Sequence, residues 1–134
     1  MRRALLFIAL AALLVVSTRA QQPPGNTPRF TGKTEAMDGK DLTVARRRFE
    51  PGARTAWHSH DRGQLLMVEE GRMRAQKRGE PFRDYGVGES DYAGPNVLHW
   101  HGASATEPLV QINVGFGGAT KWAEAVTDAD YNKR

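Results

Sequence analysis

From Leu42 onward, short alternating stretches of apolar and polar residues are separated by glycine- and proline-bearing turns. Alternation of this kind marks half-buried strands, whose successive side chains point to opposite faces. It predicts strands over Leu42–Phe49, Arg54–His60, Gln64–Glu70, Arg72–Lys77, Tyr85–Tyr92, Val97–Gly102 and Leu109–Phe116. Glu50-Pro51-Gly52, Glu70-Gly71, Arg78-Gly79-Glu80 and Gly94-Pro95-Asn96 supply the turns between them. Thr120–Val126 reads as a helix, with a further helical turn at Thr127–Asp130. Short strands at about 8–12-residue spacing argue for an all-β sandwich or barrel. No internal repeat is visible, and no glycine cluster opens a helix as a phosphate cradle would require.

The first residues follow another pattern. Met1-Arg2-Arg3 is basic, Ala4–Val16 is an unbroken apolar run of 13 residues, and Ser17-Thr18-Arg19-Ala20 ends on a small residue. This is the layout of a secretory signal peptide over residues 1–20, too short for an ordinary membrane span. The polar, proline-rich stretch 21–29 reads as a flexible linker, leaving residues 30–134 as a single domain. The expected location is the periplasm or the exterior, with no membrane attachment after cleavage. Removing Arg2, Arg3 and Arg19 with the leader leaves 16 basic residues of 19 against 15 acidic ones. The net charge then falls from +4 to about +1, which gives no support to a nucleic-acid partner. There is no cysteine, so neither a disulfide framework nor a cysteine nucleophile is available. A core, a bound metal or self-association has to hold the domain together.

The four histidines form two His-x-His pairs, His58/His60 and His99/His101. On a strand, residues two apart share a face, so each pair can converge on one point. Gln64 opens the next strand after the Asp61-Arg62-Gly63 turn, and a hairpin there would return it toward the first pair. Neutral imidazole is the commonest transition-metal ligand, so a divalent metal centre is the leading reading. The alternative is that some of these rings are core or surface residues bonded to backbone.

Gly52-x5-His58-x-His60-x3-Gln64-x6-Gly71 resembles the first sequence motif of the cupins, and Gly88–Ala103 with Pro95 and His99 resembles the second. The second is looser, because Gly94-Pro95-Asn96 stands where Pro-x-Gly is usual and Ala103 where Asn is usual. The resemblance implies a jelly-roll β-barrel with a short C-terminal helix and one divalent transition ion per chain. His58, His60, Gln64 and His99 would be its ligands. Gln64 replaces the usual Glu, leaving the ligand set without an anion. That three-His-one-Gln set is similar to the small manganese-dependent hydroxynitrile lyase-like cupins, as are Phe49–His60, His99–Ala103 and Val126–Tyr131. The implied metal is manganese first, then Fe, Ni, Co, Zn or Cu.

By the same resemblance Thr55 donates its hydroxyl to substrate; otherwise it serves its own backbone. His101 shares the face of His99 and is a candidate base or hydrogen-bond donor. Gln111 stands where the subgroup has a histidine base, and an amide can only orient substrate. Arg47 replaces an apolar pocket residue. Facing inward with Ala45 and Phe49 it would set a cation beside the metal; a twist or bulge would turn it out. Trp57 and Trp100 point away from the ligands, into a core or an interface between copies in a homodimer or homotetramer. Three functions follow: a metal-dependent lyase acting on a small hydroxy or carbonyl compound, a cupin dioxygenase or other oxidoreductase, and a non-enzymatic binder of a metal or small anion.

Overall fold

The computed structural model describes residues 30–133. The leader and linker expected over 1–29 lie outside the described residues. The chain divides into two compact units, Met1–Ala36 and Met37–Arg134, and among the described residues the regular structure lies in the second.

Among the described residues that unit has nine strands and one helix. The strands are β1 Thr43–Phe49, β2 His58–His60, β3 Gln64–Gly71, β4 Met73–Lys77, β5 Arg83–Tyr85, β6 Ser90–Ala93, β7 His99–Ala103, β8 Leu109–Gly115 and β9 Thr120–Trp122; the helix is α1, Asp128–Asn132. They form two antiparallel sheets, ordered β1-β8-β3-β6 and β5-β4-β7-β2-β9. This is a jelly-roll sandwich, as the resemblance implies, with the sheets hydrogen-bonded separately instead of closing into one continuous barrel. Phe49, Leu66, Val68, Met73, Ala75, Tyr85, Ala103 and Leu109 form the main core.

Gly102 shows why the β2–β7 side needs a residue without a side chain. A Cβ there would lie 2.2 Å from the Ala53 carbonyl oxygen and 2.5 Å from Arg54 Cα. That close approach carries the isolated bridge between Arg54 and Gly102. In the turn before β7, Asn96 takes φ 58°, the left-handed conformation that asparagine tolerates better than most residues. It therefore fills the place of the missing Pro-x-Gly glycine, and its N–H donates to the His60 carbonyl at 2.8 Å.

Three expectations are corrected. The stretch Tyr85–Tyr92 is two strands, because Gly86–Glu89 makes a turn closed by Glu89 N–H on the Gly86 carbonyl and by Gly86 N–H on Glu89 Oε2. Only His58–His60 of Arg54–His60 is strand; Arg54 keeps the one bridge to Gly102. Thr120–Val126 is not a helix: Thr120–Trp122 is the edge strand β9, with Trp122 opposite His58, Lys121 opposite Ser59 and Thr120 opposite His60. Pairing with β2 overrides the helix preference of the alanines and Glu124 that follow. The late helical turn does form. Thr127 caps it, its Oγ accepting from Asp130 N–H at 3.1 Å.

The outward faces of Trp57 and Trp100 are covered by this C-terminal segment. The two indoles meet edge to face at 6.5 Å and pack with Val126 and Tyr131 in a second core. Trp100 Nε1 donates to Gln76 Oε1 at 2.9 Å, and the Tyr131 hydroxyl donates to the Ala103 carbonyl at 2.7 Å. Arg54 ties the segment down through the Val126 carbonyl and Asp128. Both tryptophans are thus core residues.

Candidate metal centre

One cavity of about 470 Å³ opens between the sheets. Its lining includes His58, His60, Gln64 and His101, with Thr43, Ala45, Arg47 and Phe49 from β1. These four β1 positions alternate, so Arg47, though exposed, lies on the face of β1 that borders the cavity.

The histidines meet because their strands do. His58 pairs with His99 across β2 and β7, and their rings lie 4.3 Å apart. The His58 and His60 rings are 5.1 Å apart and those of His60 and His99 5.6 Å. One ring nitrogen from each of His58, His60 and His99 falls within 4.8 Å of the others. Gln64 Oε1 is 3.2 Å from His99 Nε2. All four expected ligands therefore come together.

Each ring is set by its Nδ1. That of His58 lies 2.9 Å from the Ala56 carbonyl, that of His99 3.0 Å from the Val97 carbonyl, and that of His60 3.0 Å from Thr120 Oγ1. A carbonyl only accepts, so Nδ1 of His58 and His99 carries the proton and Nε2 keeps its lone pair. Burial holds all four histidines below their ordinary pKa, His99 at about 4 and His101 well below the usual value. The rings are neutral at pH 7 and ready to ligate.

This donor set is unsatisfied on its own. His60 Nε2 is buried with no hydrogen-bond partner. The His99 Nε2 lone pair faces a carbonyl oxygen of Gln64, acceptor against acceptor. A cation placed among them satisfies the orphaned nitrogen and turns that repulsion into shared ligation, so the residues fit a divalent metal.

His101 sits behind this cluster, its ring 5.3 Å from His58 and 6.0 Å from His99. Gln111 Nε2 is 3.0 Å from His101 Nδ1 and donates to Asn113 Oδ1 at 2.6 Å. Fully buried, Gln111 does not line the cavity, so it holds His101 and does not orient substrate as expected. An amide N–H on Nδ1 puts the proton of the neutral His101 ring on Nε2. His101 is thereby a donor and not a resting base. The Thr55 hydroxyl accepts from His101 N–H at 3.2 Å, a bond to the backbone of β7 and not to its own, while it also lines the cavity. Two site residues go unnoticed in the sequence: Thr120, which anchors His60, and Trp122, whose ring lies 4.8 Å from His58 at the cavity wall. Both lie in the stretch that reads as helix; alternation across Thr120-Lys121-Trp122 was the one available signal.

A jelly-roll with converging imidazoles at one end of its sandwich defines the class, and comparison with known proteins names it. The cupin domain family matches residues 45–115, and this chain belongs to it. The (R)-mandelonitrile lyase of Granulicella tundricola is 36% identical over 110 residues, 80% of this chain and 84% of that protein. A cupin-like protein from Thermotoga maritima superposes with a TM-score of 0.68 at 43% identity, over 69% of this chain and 72% of its own. The DMSP lyase of Ruegeria pomeroyi shares the fold alone, with a TM-score of 0.56 at 16% identity, over 62% of this chain and 43% of its own.

Proposed function

We propose that this chain is a metal-dependent lyase acting on a small hydroxy or carbonyl compound, with His58, His60, Gln64 and His99 holding one divalent ion, manganese first. The observation that carries the reading is the convergence of three neutral, Nδ1-anchored imidazoles, with His60 Nε2 buried without a partner and His99 Nε2 set against the Gln64 oxygen. Its likeness to a mandelonitrile lyase over most of both chains supports the reaction type.

When bound, such an ion supplies Lewis acidity toward a substrate oxygen. The chain's own groups do the rest. Gln64 brings an oxygen without charge, so no protein anion opposes the approach of electron-rich substrate. His101 presents Nε2–H, placed to hydrogen-bond a substrate oxygen or a departing group. Thr55 Oγ–H is a second donor. Among the described residues no Asp or Glu lines the cavity, so the protein's hydrogen-bond donors to substrate there are His101 and Thr55. Trp122 and Phe49 wall the space on its apolar sides.

Export through the leader pattern of residues 1–20 and assembly into a homodimer or homotetramer belong to the same proposal. With Trp57 and Trp100 buried within the chain, assembly would use other surfaces. N-terminal sequencing of the mature protein and light scattering test these two points.

The decisive experiment pairs elemental analysis with turnover. Wild type is expected to carry about one divalent transition ion per chain and to release aldehyde from an aromatic cyanohydrin. His58→Ala combined with His60→Ala is expected to lose the metal and with it at least about a hundredfold of the activity. Full metal retention in the double variant would sink the ligand assignment. A fully loaded wild type that cleaves neither cyanohydrins nor small hydroxy acids would sink the lyase reading.

A further inference from the structure

Nine arginines lie among the described residues, and eight have a carboxylate partner: Arg46 with Glu69, Arg48 with Glu50, Arg54 with Asp128, Arg62 with Asp41, Arg72 with Glu107, Arg74 with Asp84, Arg78 with Glu124 and Arg83 with Glu89. Arg47 is the exception. It makes no ion pair among the described residues, and it stacks on no aromatic ring, unlike Arg54, Arg74, Arg78 and Arg83. Its two neighbours point outward to acids while it lines the cavity.

The register fixes its height. Arg47 lies opposite Gln111 in the β1–β8 ladder, and Gln111 holds His101. The guanidinium therefore stems from the level of His101, one step along the inner face from Phe49, whose ring meets His101 edge-on at 6.1 Å. No carboxylate among the described residues lines the cavity, the histidines are neutral there, and Asp128 answers the other cationic lining residue, Arg54. The charge of Arg47 is thus left for whatever enters.

We propose that Arg47 is a specificity residue and that the substrate carries a carboxylate, held by this guanidinium, which makes it a small 2-hydroxy or 2-oxo acid. The planar fork of arginine matches a carboxylate through two parallel N–H···O bonds, which a neutral nitrile or amide cannot accept. Arg47 is exposed to solvent, but it is the sole unanswered charge among the residues lining a cavity that also holds His58, His60 and His101, and such a charge favours an anion there. This rests on reading the cavity as the substrate site and sets this chain apart from its mandelonitrile lyase relative, named for a neutral substrate.

The test is binding, read by calorimetry, of mandelate against its neutral amide, mandelamide. Both are titrated into manganese-loaded and metal-free wild type and into Arg47→Met, which keeps the apolar stem and removes the charge. Wild type is expected to favour mandelate by about tenfold or more in both forms, and the preference should fall to near parity in metal-free Arg47→Met. Equal binding of the two compounds by wild type overturns the proposal, as does undetectable mandelate binding at millimolar concentration. A preference that survives intact in metal-free Arg47→Met also overturns it, since another group then reads the charge. Where the variant fails to fold, the wild-type ratio and its decline with added salt decide the matter. Cyanohydrin turnover on the same loaded protein reports separately on the lyase reading: no cleavage beside a strong mandelate preference removes that reaction and leaves Arg47 an anion receptor.

Discussion

The inner face of the sandwich has two halves built by the same alternation from the same strands, and they do opposite things. In β3 it runs from Val68 and Leu66 to Gln64; in β7 from Ala103 to His101 and His99; in β8 from Leu109 to Gln111 and Asn113; in β1 from Phe49 to Arg47. The first members form a closed apolar core and the second line or support the cavity. The ladders keep the halves aligned, Phe49 facing Leu109 and Arg47 facing Gln111. One half obtains its stability from burying carbon. The other buries histidine and glutamine at positions where a strand would be better served by valine, and leaves His60 Nε2 and Gln111 Oε1 without partners. Local rules broken together at one place mark function.

The largest effect should come from the apolar half. Leu66 is fully buried in the main core, and Leu66→Ala should cost about 2–5 kcal/mol through lost burial and the cavity left behind. Urea denaturation of the metal-free protein measures it. Because Leu66 lies one inner-face step from Gln64, metal stoichiometry of the folded fraction should stay at wild-type level. A large loss of metal without loss of stability would show that the halves are not separable.

The polar half should reveal itself through pH. In the metal-free protein burial holds His99 at about 4, below the ordinary value of 6.5. Between those values the unfolded chain takes up a proton that the folded ring refuses. The unfolded state binds more protons across this window, so stability is fully present above about pH 6.5 and is lost as pH falls toward 4. His99 alone contributes a drop of about 3 kcal/mol over the window, and His58, His60 and His101, lowered by the same cause, deepen it. Chemical denaturation of chelator-treated protein from pH 7.5 to 4.5 tests this. A flat profile would mean that the histidines are solvated and that the cavity is no preformed site.

The apolar half was the more legible in sequence, since period-two alternation on β1, β3 and β8 declares both strand and inward face. The metal set was legible for a different reason: two His-x-His pairs are hard to place on strands without bringing them together. What escaped was set by contacts distant in sequence. Thr120-Lys121-Trp122 has no strong strand signal and becomes β9 only through its ladder to His58–His60. Gln111 reads as a substrate contact in sequence, whereas in the fold its amide lies on His101. The direction of Arg47 depended on a regular, unbulged β1–β8 ladder, which no local residue announces.

The smallest and most discriminating change is Gln64→Glu, which alters one atom in the polar half. Gln64 is buried at the cavity with its oxygen 3.2 Å from His99 Nε2. A glutamate keeps the oxygen where it is and adds a charge to a donor set that has none. The metal should be held at least as tightly, because an anion attracts a dication more than an amide dipole does. Turnover should nevertheless fall about tenfold, since the added charge lowers the Lewis acidity available to substrate and opposes an anionic one. The two effects have opposite signs, so chelator competition for affinity and initial rates at full loading separate them. For a carboxylate substrate the apparent affinity should weaken as well, and for a neutral cyanohydrin the rate alone should fall. Equal activity in Gln64→Glu and wild type on both substrate classes would show that Gln64 matters only for its shape, and that the missing anion has no part in the chemistry of this half.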